Sequence, residues 1–138
     1  MPLRLNLKPH EKVIIGNSVI ENGQKSASFV IHNKATILRE KDIMTEEKAN
    51  TPAKRIYFVV QLMYMAGGIE ESKEHHSTFF VLTNQFLKAC PTPEAVVLIS
   101  EMGMNVLNEN FYAALKCCKD LMEYEKGILD GDTTGMDE

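Results

Sequence analysis

Apolar residues fall on every second position at the start of this chain and on every third or fourth position beyond residue 51, so two different architectures must be joined in 138 residues. Leu3, Leu5 and Leu7 alternate with Arg4, Asn6 and Lys8, the pattern of a half-buried strand. Pro9 and His10 interrupt it, and Lys12-Val-Ile-Ile follows as a second strand rich in β-branched residues. Gly16-Asn17 reads as a turn before a third strand, Ser18-Val-Ile-Glu. Asn22-Gly23 is the stronger hairpin signal, since both positions of such a turn favour positive φ. Ser26-Ala-Ser-Phe-Val-Ile-His and Ala35-Thr-Ile-Leu-Arg-Glu complete five short strands. So small a unit closes its strand edges only with a partner or with the second half of the chain.

Helical signals then take over. Thr45-Glu-Glu is a plausible turn capped by Thr45, with Glu46 and Glu47 in the first turn, where the helix dipole favours them. Thr51-Pro52 is a helix start, with Thr as the cap and Pro at the first helical position. Ile56, Val59, Val60, Met63 and Tyr64 form the apolar face of this first helix, and Gly67-Gly68 stops it. After a polar stretch, residues 69–74, a second helix is expected from His75 to Ala89, carrying Phe79, Phe80, Leu82, Phe86 and Leu87. Thr92-Pro93 repeats the start signal for a third helix, bent near Gly103. Phe111, Ala114, Leu115, Cys118, Leu121 and Met122 stripe a last helix, with Gly127 and Gly131 ending the order. The expectation is an α+β chain: an antiparallel β-rich unit over residues 1–45, three to four helices over 51–127, and a disordered acidic tail over 128–138.

Charge follows the same division. Residues 1–55 hold ten Lys/Arg and six Asp/Glu, and residues 56–138 hold five and thirteen. A basic first half suits a polyanion, and an acidic second half suits protein contacts. No apolar run approaches the roughly 20 residues that span a bilayer, and the start lacks the apolar core of a signal peptide. The chain therefore reads as cytoplasmic, with no membrane partner. Three cysteines, Cys90, Cys117 and Cys118, suit a reducing compartment, with the adjacent pair on a helix and one of the two facing inward.

No catalytic constellation, phosphate-binding glycine loop or metal-ligand spacing is present, so neither an enzyme nor a cofactor is expected. His75 and His76 are adjacent, and neighbours on a helix point about 100 degrees apart, which does not suit one metal. The basic residues carry more. Arg4, Lys8, Lys34, Arg39 and Lys41 lie on or beside strands, and Lys54 and Arg55 open a helix. Singly, each reads as part of a solvated face; together they form a candidate strip for a phosphate backbone. Phe29 is the one aromatic among these strands, so recognition would lean on Arg/Lys and strand-edge main chain. On the helices, most of the eight methionines read as core. The sharper alternative is an adaptable face for a protein partner, with Met63, Tyr64, Phe79, Phe80, Met104 and Met122 as its candidates.

The chain resembles the FlbT family of flagellin regulators along most of its length. The resemblance rests on Met1-Pro-Leu-Arg-Leu-Asn-Leu-Lys-Pro, Glu11-Lys-Val-Ile-Ile-Gly-Asn and Asn33-Lys-Ala-Thr-Ile-Leu-Arg-Glu-Lys-Asp-Ile-Met. It continues in Thr51-Pro-Ala-Lys-Arg-Ile-Tyr-Phe, Gln61-Leu-Met-Tyr, Tyr112-Ala-Ala-Leu-Lys-Cys and Glu123-Tyr-Glu. It implies post-transcriptional control of flagellin through the untranslated leader of its mRNA, by repression in some members and promotion in others. The partners it implies are that leader, flagellin itself and the companion regulator FlaF. Residues 3–43 also resemble the small RNA-binding regulator CsrA. His10-Glu-Lys-Val-Ile-Ile-Gly-Asn-Ser-Val is similar to its early strand and turn, and Ile37-Leu-Arg-Glu-Lys-Asp-Ile to its last strand. That resemblance gives Arg39 an RNA-contacting role, and it sets Leu7 and Lys8 where that family has two consecutive arginines. CsrA pairs strands between two chains. Either a homo-oligomer or cover by the helical half answers the same need here.

Overall fold

The computed structural model describes residues 2–66 and 69–134. The chain is α+β and divides into a β unit built on residues 1–43 and a helical unit built on residues 44–64 and 68–138.

Five strands form the β unit: β1 (Leu3–Leu7), β2 (Lys12–Ile15), β3 (Ser18–Glu21), β4 (Ala27–Ile31) and β5 (Ile37–Arg39). They make two antiparallel sheets, one of β1 and β4 and one in the order β3-β2-β5. Leu5 lies opposite Phe29 and Leu7 opposite Ala27, while Val13 lies opposite both Ile20 and Arg39. The alternation of β1 buries Leu5 and Leu7, which join Val13 in a small core flanked by Ile15, Ile31 and Ile37. The first and last strands thus find their ladder partners, β4 and β2, inside this chain. Gly16 takes φ +66 in the β2–β3 turn, a conformation glycine adopts without a Cβ clash.

Asn22-Gly23 does not make the expected two-residue hairpin. Neither residue has positive φ, and β3 and β4 lie in different sheets. The reason is a competing set of hydrogen bonds. The Asn22 side-chain amide donates to the carbonyls of Leu7 (3.3 Å), Lys8 (2.8 Å) and Lys25 (2.9 Å). The Asn22 N–H also donates to the Glu11 carbonyl at 2.9 Å, and His10 N–H to the Gly23 carbonyl at 2.9 Å. The dipeptide is spent on tying down the β1–β2 connection, which is why the chain crosses to the other sheet.

The helical unit contains α1 (Pro52–Ala66), α2 (Ile69–Ala89), α3 (Pro93–Leu107) and α4 (Phe111–Thr134). A turn precedes it, in which Lys48 N–H donates to Thr45 Oγ1, as the Thr45-Glu-Glu signal predicts. Two expected boundaries move. α2 begins at Ile69 and not at His75, because acidic, helix-forming residues suit the first turns of a solvated helix as well as they suit a loop. α4 continues through Gly127, where a single glycine costs only about 1 kcal/mol against the rest of the helix. The expected disordered tail is therefore helical as far as Thr134, and its last four residues lie outside those described. α3 runs unbroken through Gly103.

Both Thr-Pro starts are real, and α4 gathers them. Thr92 Oγ1 accepts from Ala95 N–H at 3.2 Å and lies 2.6 Å from the Tyr124 hydroxyl. Thr51 donates to Glu125 Oε1 at 2.5 Å, and Ala53 N–H donates to Glu125 Oε2 at 2.9 Å. Adjacent residues of one helix thus hold the starts of α3 and α1 on two sides of it. Cys117 and Cys118 are both buried, where one was expected to face inward. Cys118 packs its thiol 3.5 Å from Met102 Sδ, and Asn105 reaches Cys117 Sγ at 3.6 Å. Burial pushes both thiols above their ordinary value, Cys118 the further. No helix among the described residues is long and apolar enough to cross a membrane.

Candidate nucleic-acid interface

One broad groove of about 1180 Å³ opens on the β unit. Its lining comes from the end of β1, the connection to β2, the start of β4 and the end of β5. Lys8, Arg39 and Lys41 lie in it, brought together from separate stretches of chain by the pairing of β1 with β4 and of β2 with β5. Asn6, His10 and residues 26–28 complete much of the wall.

The two acids of the groove are engaged by main chain. Glu11 Oε1 accepts from Lys8 N–H at 2.8 Å, closing the turn over residues 8–11. Glu40 Oε1 accepts from Lys12 N–H at 2.8 Å, joining the end of β5 to β2. Each carboxylate thereby fixes the backbone beside a lysine, and no ion pair to Lys8, Arg39 or Lys41 is present among the described residues. His10 sits at φ 63, left-handed for a residue with a Cβ, and its N–H is held by Gly23. Asn22 completes the framework. Its two amide hydrogens serve three carbonyls, so the longest bond, to Leu7, shares a donor.

Of the seven basic candidates, this groove unites Lys8, Arg39 and Lys41. Arg4 is exposed on β1 opposite Val30 and Lys34 is exposed in the β4–β5 link, both outside the groove. Lys54 and Arg55 belong to the helical unit. Sequence reasoning did not single out His10, Glu11 or Asn22. The one available signal was Asn22-Gly23, and its hairpin meaning concealed its bracing role.

The candidate protein-partner residues separate likewise. Met63 and Phe79 are buried and belong to the core. Tyr64 stacks at a tilt against Tyr112, with ring centroids 6.0 Å apart. Phe80 and Met104 are exposed, and Met122 is half-buried. These six do not form one free face, because the helical period sends Phe79 inward and its neighbour Phe80 outward.

Residues 3–129 match the family described as Flagellar protein FlbT. This chain belongs to the FlbT family. It is 42% identical over 129 residues to a Bradyrhizobium diazoefficiens relative named "Probable flagellum biosynthesis repressor protein FlbT 1", covering 93% of this chain and 85% of the relative. A Rhodopseudomonas palustris FlbT is 40% identical over 94% of this chain and 98% of its own. The Caulobacter vibrioides "Flagellum biosynthesis repressor protein FlbT" is 36% identical over 99% and 95%. No solved structure gives a significant match. The FlbT match spans both units.

Proposed function

We propose that this FlbT chain regulates flagellum biogenesis in the cytoplasm by binding the leader of flagellin mRNA in the groove of its β unit. The observation that carries this reading is the convergence of Lys8, Arg39 and Lys41 on one groove whose two carboxylates are bonded to main-chain amides. Three cations set along strand ends suit a phosphate backbone, and the main-chain groups of Asn6 and of residues 26–28 suit base edges. The printed names of the relatives, flagellum biosynthesis repressors, favour a repressive sign.

The test is binding of the purified protein to a flagellin leader RNA at two salt concentrations, beside a scrambled RNA. Leader-selective binding that weakens with salt is expected. Lys8→Ala with Arg39→Ala should flatten the salt dependence by about 1 in slope per lost contact. Lys54→Ala with Arg55→Ala should leave it unchanged. A double Lys8/Arg39 variant with wild-type affinity and slope would remove the groove from the mechanism.

A second reading is a protein-binding adaptor for flagellin or FlaF, with an indirect effect on the mRNA. The net acidity of the chain and the exposed Phe80 and Met104 favour it. Retention of purified flagellin or FlaF in the absence of nucleic acid, together with no leader binding, would select it.

A further inference from the structure

The helical unit carries a second groove that the RNA reading does not use. It has a volume of about 460 Å³ and is bounded by the start of α1, the C-terminal half of α2 and the C-terminal half of α4. Its apolar surface comes from Pro52, Leu82, Phe86, Ala89, Ile128 and Leu129. Leu129 is 58% exposed at its edge, a large apolar side chain left in water. Two charged residues line it, Arg55 and Glu125. Glu125 is occupied, with one oxygen bonded to the Thr51 hydroxyl and the other to Ala53 N–H. The Arg55 guanidinium has no partner among the described residues. The groove therefore presents an apolar floor beside one uncompensated cation.

An adjoining trough lies along α4. It shares Thr51, Glu125 and Leu129 with the groove and adds Lys54, Lys119, Met122 and Lys126. Its other acids are Glu123 and Asp130. Half of the eight Lys/Arg of residues 44–138 thus border the two depressions, in a region that also holds fifteen Asp/Glu. The groove is walled by three helices and has the apolar Leu129 and the cation Arg55 exposed at its edge. It fits an apolar helical stripe flanked by carboxylates.

We propose that this groove docks an amphipathic helix of a protein partner. Apolar side chains of that helix sit over Leu82, Phe86, Ile128 and Leu129, and a carboxylate beside its stripe pairs with Arg55. The fork of the guanidinium favours a carboxylate over other acceptors. The site is separate from the RNA groove and stands whether or not RNA binds there.

The chain supplies its own reporter. Cys90 lines the groove and is half-buried, whereas Cys117 and Cys118 are buried in the helical unit. The probe is a synthetic amphipathic peptide about four turns long, with leucines at 3–4 spacing flanked by glutamates. A peptide with the same leucines flanked by lysines is the control. The glutamate peptide should slow alkylation of Cys90 by about tenfold at saturation, since only an accessible thiolate reacts. Leu129→Gln and Arg55→Glu, both at exposed positions, should each weaken that protection about tenfold with unchanged helicity and melting. Arg55→Glu should also shift preference toward the lysine peptide. Lys8→Ala with Arg39→Ala should leave protection intact, which separates this site from the RNA groove. Four results overturn the proposal. They are no protection by the glutamate peptide at high micromolar concentration, equal protection by both peptides, protection without peptide that is lost on deleting residues 131–138, and protection that rises with protein concentration. The last two would assign the groove to the chain's own end or to a second copy.

Discussion

The β unit is organised by side chains that hold main chain, and the helical unit by side chains that exclude water. In the first, the buried hydrophobic cluster has Leu5, Leu7 and Val13 at its centre, while Glu11, Asn22 and Glu40 fix the connections. In the second, four helices bury long apolar stripes, and a few polar side chains hold main chain or caps: Gln61 bonds Met44, and Tyr124 and Glu125 hold two Thr caps. The contrast explains where the candidate sites lie. A unit with few buried side chains leaves main chain and cations along its strand ends, which suits a nucleic acid. A unit of amphipathic helices leaves an apolar channel wherever three helices do not close fully, which suits another helix.

This contrast can be broken first at its weakest core. Leu5→Ala should cost about 2.5–5 kcal/mol, and so small a unit has little with which to refill the cavity. Loss of the β unit with retention of most helical circular dichroism is expected. A single transition that removes both signals together would mean that the two units fold as one. Next, Glu125→Ala leaves Thr51 and the Ala53 amide without their acceptor, at a cost of about 2–4 kcal/mol read by urea unfolding. A change below about 0.5 kcal/mol would mean that water replaces the carboxylate.

Asn22→Ala removes the donor to three carbonyls and should cost about 1–2 kcal/mol. If Asn22 braces the groove, RNA affinity should fall several-fold while the salt slope stays unchanged, because no cation is lost. A reduced slope would show that the Lys8 loop has left its place altogether. In the other unit, Gly127→Ala should stabilise α4 by about 0.5–1 kcal/mol, since nothing lies within 4 Å of the added methyl. Destabilisation would argue that the helix bends there in solution.

The smallest effect concerns the thiols. Unfolded cysteines ionise near 9.0, whereas burial holds the folded Cys117 and Cys118 protonated to higher pH. Above that value the unfolded state has released protons that the folded state retains, so stability should fall as pH rises past about 9. A Cys117→Ala/Cys118→Ala variant should show a flatter decline. An equal decline in the variant would assign it to other groups.

Much of this was legible in the residues because the underlying rules are local. Alternation in β1, the Thr-Pro starts of α1 and α3, and the 3–4 spacing of Val59, Val60 and Met63 each depend on neighbours a few positions away. Boundaries drawn from polarity failed where polarity is ambiguous: residues 69–74 read as a loop, yet an exposed helical turn has the same composition. The Asn22-Gly23 signal failed because a turn preference of a few tenths of a kcal/mol competes with several hydrogen bonds of about 1 kcal/mol each. For the partner residues, composition identified apolar side chains, but it could not say which of Met63, Phe79 and Phe80 the core would consume.

By itself the sequence determined the change from strand to helix, the caps, the family and the chemical kind of each half, because period, capping and charge act over short range. Only the tertiary structure decided that Lys8, Arg39 and Lys41 share a groove while Arg4 and Lys34 stand outside it. It also decided that Glu125 is spent on the start of α1 while Arg55, with no partner among the described residues, lines an apolar groove. Those outcomes depend on strand register and helix packing between residues tens of positions apart, and no local preference encodes them.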